Sequence, residues 1–284
     1  MAIRFRSIII LVYLLSLTTL TVSCRQHRTP KKITFKRVTE KEKVDGISRR
    51  ELLITDSLLE YFIPAPSSDY SEQIIRRKAY ILSYNKDTKI PNWVAWHLTS
   101  NHIDGIYKRI NTYYEDKDVP APRAMDSDYR GSGWTHGHMC PAGDNKWDLK
   151  AMQESNILTN ICPQNGQLNS GFWNSLEQDC RKWAQKYGDV HIVCGPILLN
   201  CKHETIGENG VVVPEAFFKV ILCLKGKPKA IGFVVKNDEG TKRRSQFINS
   251  VDEVERITGI DFFPKLPDEI ENVVEASANL DDWR

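Results

Sequence analysis

Between Tyr129 and Asp144 the chain reads Tyr-Arg-Gly-Ser-Gly-Trp-Thr-His-Gly-His-Met-Cys-Pro-Ala-Gly-Asp. Four glycines and two histidines stand where a plain core strand would carry β-branched residues. Glycine on both sides of a histidine lets backbone, substrate or solvent approach closely. Three readings fit these residues alone. In the first, His136, His138 and Cys140 alternate along a strand and project to one face, and Cys162 completes four zinc ligands. In the second, the glycines and histidines form only a tight turn. In the third, one histidine is a general base beside a cation held by oxygen ligands.

Residues further along bear on that choice. Asn160, Gln164, Asn165, Gln167 and Asn169 crowd the approach to a helix whose apolar positions are Phe172, Trp173, Leu176, Cys180, Trp183, Ala184 and Tyr187. Asn169 is expected to cap this helix and Gly188 to stop it. Glu177 follows Asn169 by eight residues, two turns plus about 80° at 3.6 residues per turn. The two can therefore face one cleft at different depths. Amide and carboxylate oxygens are hard ligands that leave much of a Mg²⁺ shell to water and phosphate.

The remaining chain reads as one mixed α+β domain, a central antiparallel sheet flanked by helices. Helical spacing runs from Glu51 to Phe62 and over Asp148 to Ser155. Strand signals cover Ile74 to Tyr84, Asn92 to Leu98, Asn156 to Ile161 and Val190 to Cys194. Phe217 to Leu224 and Ala230 to Val235 make a hairpin, and a capping box at Ser250 opens a helix closed by Gly259.

The N-terminus has its own logic. Arg4 and Arg6 precede an apolar run from Ile8 to Val22, then Ser23-Cys24 and a polar stretch. The run falls short of the roughly 20 residues that span a bilayer. This is the pattern of an export signal over 1–23, and the cysteine after a small residue resembles a bacterial lipobox. The expectation is a lipid on Cys24, a polar tether over 24–50 and a folded domain over 51–284, in an exported envelope lipoprotein. The formal charge is +3, and without Arg4 and Arg6 it is near +1, so composition alone does not mark a polyanion binder. Local clusters and a metal would have to hold one; Arg76-Arg77-Lys78 and Lys242-Arg243-Arg244 are the clusters available. Six cysteines remain after Cys24, which permits disulfides without requiring them.

Tyr129–Asp144, then Leu158-Thr-Asn-Ile-Cys-Pro-Gln164 and Leu168-Asn-Ser-Gly-Phe-Trp-Asn-Ser-Leu-Glu177, closely resemble the DNA/RNA non-specific endonucleases. Pro91–Leu98, Arg109–Asp116, Gly195-Pro196, Pro214–Val220 and Val251–Pro267 extend the resemblance in order from about residue 75 to 268. It implies a ββα-metal catalytic unit and Mg²⁺- or Mn²⁺-dependent hydrolysis of DNA and RNA. It places the general base on His138, the metal ligand on Asn169 and the acid that steadies the metal's waters on Glu177. It also places a phosphate-gripping arginine on Arg109 and a site-shaping asparagine on Asn160. One departure stands out. The family pattern before Gly-His is Asp-Arg, and this chain has Thr135-His136. The lost arginine was a bidentate phosphate donor, and the expectation is that His136 or Arg130 supplies part of that contact. The competing reading is a weak or inactive envelope lipoprotein that binds nucleic acid or zinc.

Overall fold

Alternating apolar residues after Gln73 build the first part of the sheet, and the turns come where the alternation breaks. In the computed structural model the described residues are 59–200, 202–238 and 244–284. They all fall within one compact unit, Ile47–Arg284. The export signal, Cys24, the tether, most of the Glu51–Phe62 helix and Lys242-Arg243 lie outside the described residues.

Strands β1 (Gln73–Arg76), β2 (Tyr80–Asn85) and β3 (Ile90–Thr99) form an antiparallel meander. The single strand expected over Ile74 to Tyr84 is thus two strands. Arg77 N donates to Tyr80 O at 2.8 Å and reverses the chain. Next come β4 (Thr135–His138), helix α1 (Leu149–Ser155), β5 (Ile161–Gln164) and helix α2 (Asn174–Tyr187). Asp148 caps α1 by accepting from Ala151 N. The strand expected over Asn156 to Ile161 begins only at Ile161, because Leu158–Asn160 is a 3-10 turn. Strand β6 (Asp189–Ile197) follows, then a small pair, β7 (Thr205–Ile206) with β8 (Val211–Val212). The hairpin β9 (Ala216–Cys223) and β10 (Lys229–Lys236), the short β11 (Ile248–Asn249), and helices α3 (Val251–Thr258) and α4 (Asp268–Glu275) complete the domain.

The main sheet has seven strands in the order β1-β2-β3-β6-β9-β10-β11, all antiparallel. Period-two alternation divides its core between two faces. Trp96, Cys194, Phe217 and Ile221 pack with Trp173 and Leu176 on one side. Ala95, Val193, Phe218, Val220 and Leu222 pack with Val251, Val254 and Val274 on the other. The fold is therefore three layers, with the β4–β5–α2 unit over one face and α3 and α4 over the other. Arg76, Arg77 and Lys78 do not form a free basic patch. Arg76 pairs with Glu60 at 2.5 Å, Arg77 with Asp116 and Asp118 at 2.6 and 2.7 Å, and Lys78 approaches Asp148.

Candidate active site

The site begins with a two-stranded hairpin. β4 pairs with β5 in the register Thr135↔Gln164, Gly137↔Cys162, His138↔Ile161. Gly137 is required there, because a Cβ would lie 2.5 Å from Cβ and Oε1 of Gln164. Asn160 fixes the end of β4. Its Oδ1 accepts from Cys140 N at 2.9 Å, and its Nδ2 donates to Cys140 O and Ser155 O, both at 2.8 Å.

His138 closes the strand, 6% exposed. Its Nε2 lies 2.8 Å from Asn156 Oδ1. The Asn156 amide has only one orientation open to it, since its Nδ2 donates to Ile110 O at 2.6 Å and Thr112 O at 3.1 Å. Its oxygen must therefore accept, so Nε2 of His138 carries the ring proton and Nδ1 carries the lone pair. Trp173 Nε1 donates to His138 O at 3.4 Å and ties the strand to the helix side.

On the helix side the N-cap is Asn165, not Asn169: its side chain accepts from Gln167 N and Leu168 N. Asn169 already has helical angles and opens a wide π-type turn, Asn169–Trp173, that runs into α2. Relieved of capping, its side chain reaches back to β4. Nδ2 donates to Thr135 Oγ1 at 3.0 Å and to His136 O at 3.3 Å, which leaves Oδ1 as the uncommitted atom. Thr135 Oγ1 in turn donates to Gln164 O at 2.8 Å. The hydroxyl thus holds the amide in one orientation. Asn174, Glu177 and Arg181 follow at i, i+3 and i+7, one face of α2. Arg181 donates to Asp144 Oδ1 at 2.8 Å, and Trp96 Nε1 donates to Asp144 Oδ2 at 3.1 Å.

These groups meet in a cleft of about 540 Å³ lined by Arg109, Thr135, His138, Lys146, Asn169, Asn174, Glu177 and Arg181 among others. The four residues His138, Asn169, Glu177 and Arg109 are therefore brought together. Arg109 is exposed at the rim. Three further candidates lie elsewhere. Asn160 is fully buried, with both ends of its amide bonded to backbone, and does not line the cleft. His136 is stacked between Tyr113 and Tyr129, with ring centroids 3.8 and 4.1 Å away, and its Nε2 lies 3.2 Å from Asp126. Arg130, largely exposed, pairs with the same Asp126 at 2.6 Å. Neither lines the cleft, so the contact expected of them in place of the missing arginine has no support in their positions. Nor do His136, His138, Cys140 and Cys162 assemble into a zinc site: among the described residues the one group of three or more such ligands is elsewhere. Cys140, Cys162, Cys180, Cys194 and Cys223 are buried free thiols.

Electrostatics set the protonation states. Burial, above all, drives the pKa of His138 down to about 4 against the bond to Asn156, and the charge of Arg109 adds to the effect. The imidazole is therefore neutral at pH 7. Glu177 is pushed up to about 7 by desolvation, with Asp144 adding, while Lys219, Arg181 and Arg109 oppose the shift. Lys219 is fully buried in β9, its Nζ 4.9 Å from the Trp96 ring centre and 4.7 Å from that of Trp173. Burial opposes its charge, but the thiols of Cys194 and Cys180 and the carboxylates of Glu177 and Asp144 more than offset this and raise its pKa.

Thr135, Asn156, Asp144, Arg181 and Lys219 were not among the sequence candidates. The i, i+3, i+7 spacing from Asn174 to Arg181 was a usable signal. No local pattern marks Asn156 or Lys219.

Residues 60–269 match the family model described as DNA/RNA non-specific endonuclease. The mitochondrial nuclease EXOG of Mus musculus is 38% identical over 66% of this chain and 56% of its own length. Nuclease C1 of Cunninghamella echinulata is 32% identical over 75% of this chain and 89% of its own. Among solved structures, a crystal structure of an EndoG/EndoGI complex superposes with a TM-score of 0.69 at 28% identity, covering 75% of this chain and 93% of that one. The chain thus spans little more than half the length of the EXOG protein it matches.

Proposed function

Because the chain belongs to the DNA/RNA non-specific endonuclease family, we propose that it hydrolyses phosphodiester bonds in both DNA and RNA, with His138 as general base. The observation that carries this reading is the Asn156–His138 pair, which puts the ring proton on Nε2 and reserves Nδ1 for a proton from water. With its pKa held near 4, the ring stays in the basic form at neutral pH. Nδ1 takes the proton of the attacking water, the water oxygen bonds to phosphorus, and the 3′-oxygen of the sugar departs. A 5′-phosphate remains.

The residues present fit a divalent cation. Asn169 Oδ1 is a hard oxygen with no other duty, and the half-buried carboxylate of Glu177 lines the same cleft. An all-oxygen donor set suits Mg²⁺ or Mn²⁺ over zinc. Such an ion would be held by Asn169, with the Glu177 carboxylate beside it in the same cleft, and would supply positive charge to the phosphate and the leaving oxygen. Arg109 and Lys146, both exposed at the cleft, supply positive charge to the backbone of the nucleic acid, while the charge of Arg181 is paired with Asp144. Contacts of that kind carry little sequence information, which supports action on both polymers. The test is cleavage of plasmid DNA and of RNA by residues 25–284 in Mg²⁺ and in EDTA. Loss of both activities in EDTA is expected. Cleavage that survives chelation, or a folded protein inert with Mg²⁺ and Mn²⁺, would contradict the reading and favour a binding protein.

We also propose that the chain is exported and tethered to a bacterial envelope by lipid on Cys24, on the strength of the N-terminal pattern alone. Metabolic labelling with a fatty acid should mark the wild type and not Cys24→Ser; equal labelling would refute the anchor.

A further inference from the structure

The face of the sheet away from the cleft carries a group of carboxylates that the nuclease reading does not use. Asp252 lies in the first turn of α3, Glu255 one turn on, and Glu275 at the end of α4. Each offers one carboxylate oxygen, and these three oxygens lie within 4.8 Å of one another. Glu275 is 5% exposed, and its Oε1 has no hydrogen-bond partner. Glu255 differs: its Oε1 accepts from Phe262 N at 2.7 Å. A buried carboxylate oxygen without a donor is costly unless a proton or a cation satisfies it.

The surroundings sharpen the point. Burial pushes Glu275 up to about 9, and the charges that act on it most, Glu255, Glu271, Asp252 and Asp261, are all carboxylates. Glu255 is likewise raised to about 7, by burial first. Glu275 also sits in the last turn of α4, where the helix dipole disfavours a negative charge and favours a positive one.

We propose that Asp252, Glu255 and Glu275 form a second divalent-cation site, structural rather than catalytic, that takes Ca²⁺ and clasps α3 to α4. The donors are all carboxylate oxygens, from side chains of mixed exposure with Asp252 open to solvent, which suits Ca²⁺ with its six to eight flexible oxygen ligands. The site lies with the Val251, Val254 and Val274 side of the core, and the cleft with the Trp173 and Leu176 side, so the sheet separates the two.

The test uses the full chain in mild detergent, in an Asn169→Ala background so that the cleft does not contribute a bound ion. Equilibrium dialysis against radioactive Ca²⁺ is expected to find one ion per chain. Thermal unfolding is expected to shift up by at least about 3 °C between EDTA and saturating Ca²⁺. Adding Glu275→Gln should abolish both the bound ion and the shift, and leave the melting temperature in EDTA little changed, since without a cation the Glu275 carboxyl, raised to about 9, already holds a proton at neutral pH and the amide matches it in size. Asp252→Asn, at an exposed position, should weaken Ca²⁺ binding by tenfold or more and serves should the first variant not fold. Unchanged Ca²⁺ binding in Glu275→Gln or Asp252→Asn would overturn the proposal, as would a Mg²⁺ shift equal to that of Ca²⁺. Nuclease activity is not read, so this site and the catalytic reading stand or fall separately.

Discussion

At the scale of single residues, the site depends on amides with no freedom to turn. Asn156 has its nitrogen end taken by two carbonyls and so presents only oxygen to His138. Asn169 has its nitrogen end taken by Thr135 and His136 and so presents only oxygen to the cleft. This gives the Thr135-His136 departure a physical meaning. Thr135 sits beside the cleft as the hydroxyl that orients the Asn169 amide, while His136 lies in a stack of tyrosines. Removing such an outer partner costs about 10- to 100-fold in metal affinity. Thr135→Val should therefore raise the Mg²⁺ concentration for half-maximal cleavage by about 10-fold or more at little cost in maximal rate. An unchanged Mg²⁺ requirement would show that the hydroxyl does not orient Asn169. The sequence showed His138, Asn169 and Glu177 through the resemblance, because that pattern preserves their order and spacing. It showed nothing of Asn156, whose role arises only when the chain folds its backbone carbonyls of Ile110 and Thr112 around it.

At the scale of elements, the β4–β5 hairpin and α2 act as one unit. The clefts of such units need close backbone approach, and Gly137 provides it here: Gly137→Ala would place a methyl carbon 2.5 Å from the Gln164 side chain. Overpacking of this kind costs typically about 1–3 kcal/mol. Urea unfolding should show a loss in that range, together with reduced cleavage because Thr135 and His138 move with the strand. Full stability in the variant would mean that Gln164 swings aside freely. Periodicity predicted α2 and its stop at Gly188, since a long amphipathic repeat carries its own signature. It misplaced the N-cap by four residues, because Asn165 and Asn169 are both plausible caps and only the π-type turn decides between them. The helix α4 went unread: its eight residues are too short a repeat to stand out from the loop before them, and its packing on β10 is a tertiary fact.

At the scale of the whole molecule, burial of titrating groups ties stability to pH from both sides. His138, His102 and His191 are held near 4, 4 and 3, in each case chiefly by burial. A base whose pKa falls on folding contributes stability that is present above the unfolded value of about 6.5 and lost as pH drops through that value toward 4 and 3. Glu255 and Glu275, raised to about 7 and about 9, act in the opposite direction. Their contribution is present below about 4.5 and lost as pH rises through 7 and 9. In chelator the melting temperature should thus pass through a maximum between about pH 5 and pH 7. A steady rise from pH 4 to pH 9 in calorimetry would contradict these assignments. The broad architecture was readable because alternation, hairpin turns and caps are local. Lys219, fully buried between Trp96 and Trp173, was not, since a lysine inside an apolar strand looks like a surface position until the partners appear.

The central claim is that neutral His138 takes the proton of the attacking water in a metal-assisted hydrolysis. Its most direct test is single-turnover cleavage of a defined duplex at saturating Mg²⁺ by the wild type and by His138→Ala. A rate lower by about 10²- to 10⁴-fold, with substrate affinity unchanged, is the predicted result for loss of a general base. A variant that cleaves within a few-fold of the wild type, or one that loses binding and rate together, would show that the base lies elsewhere.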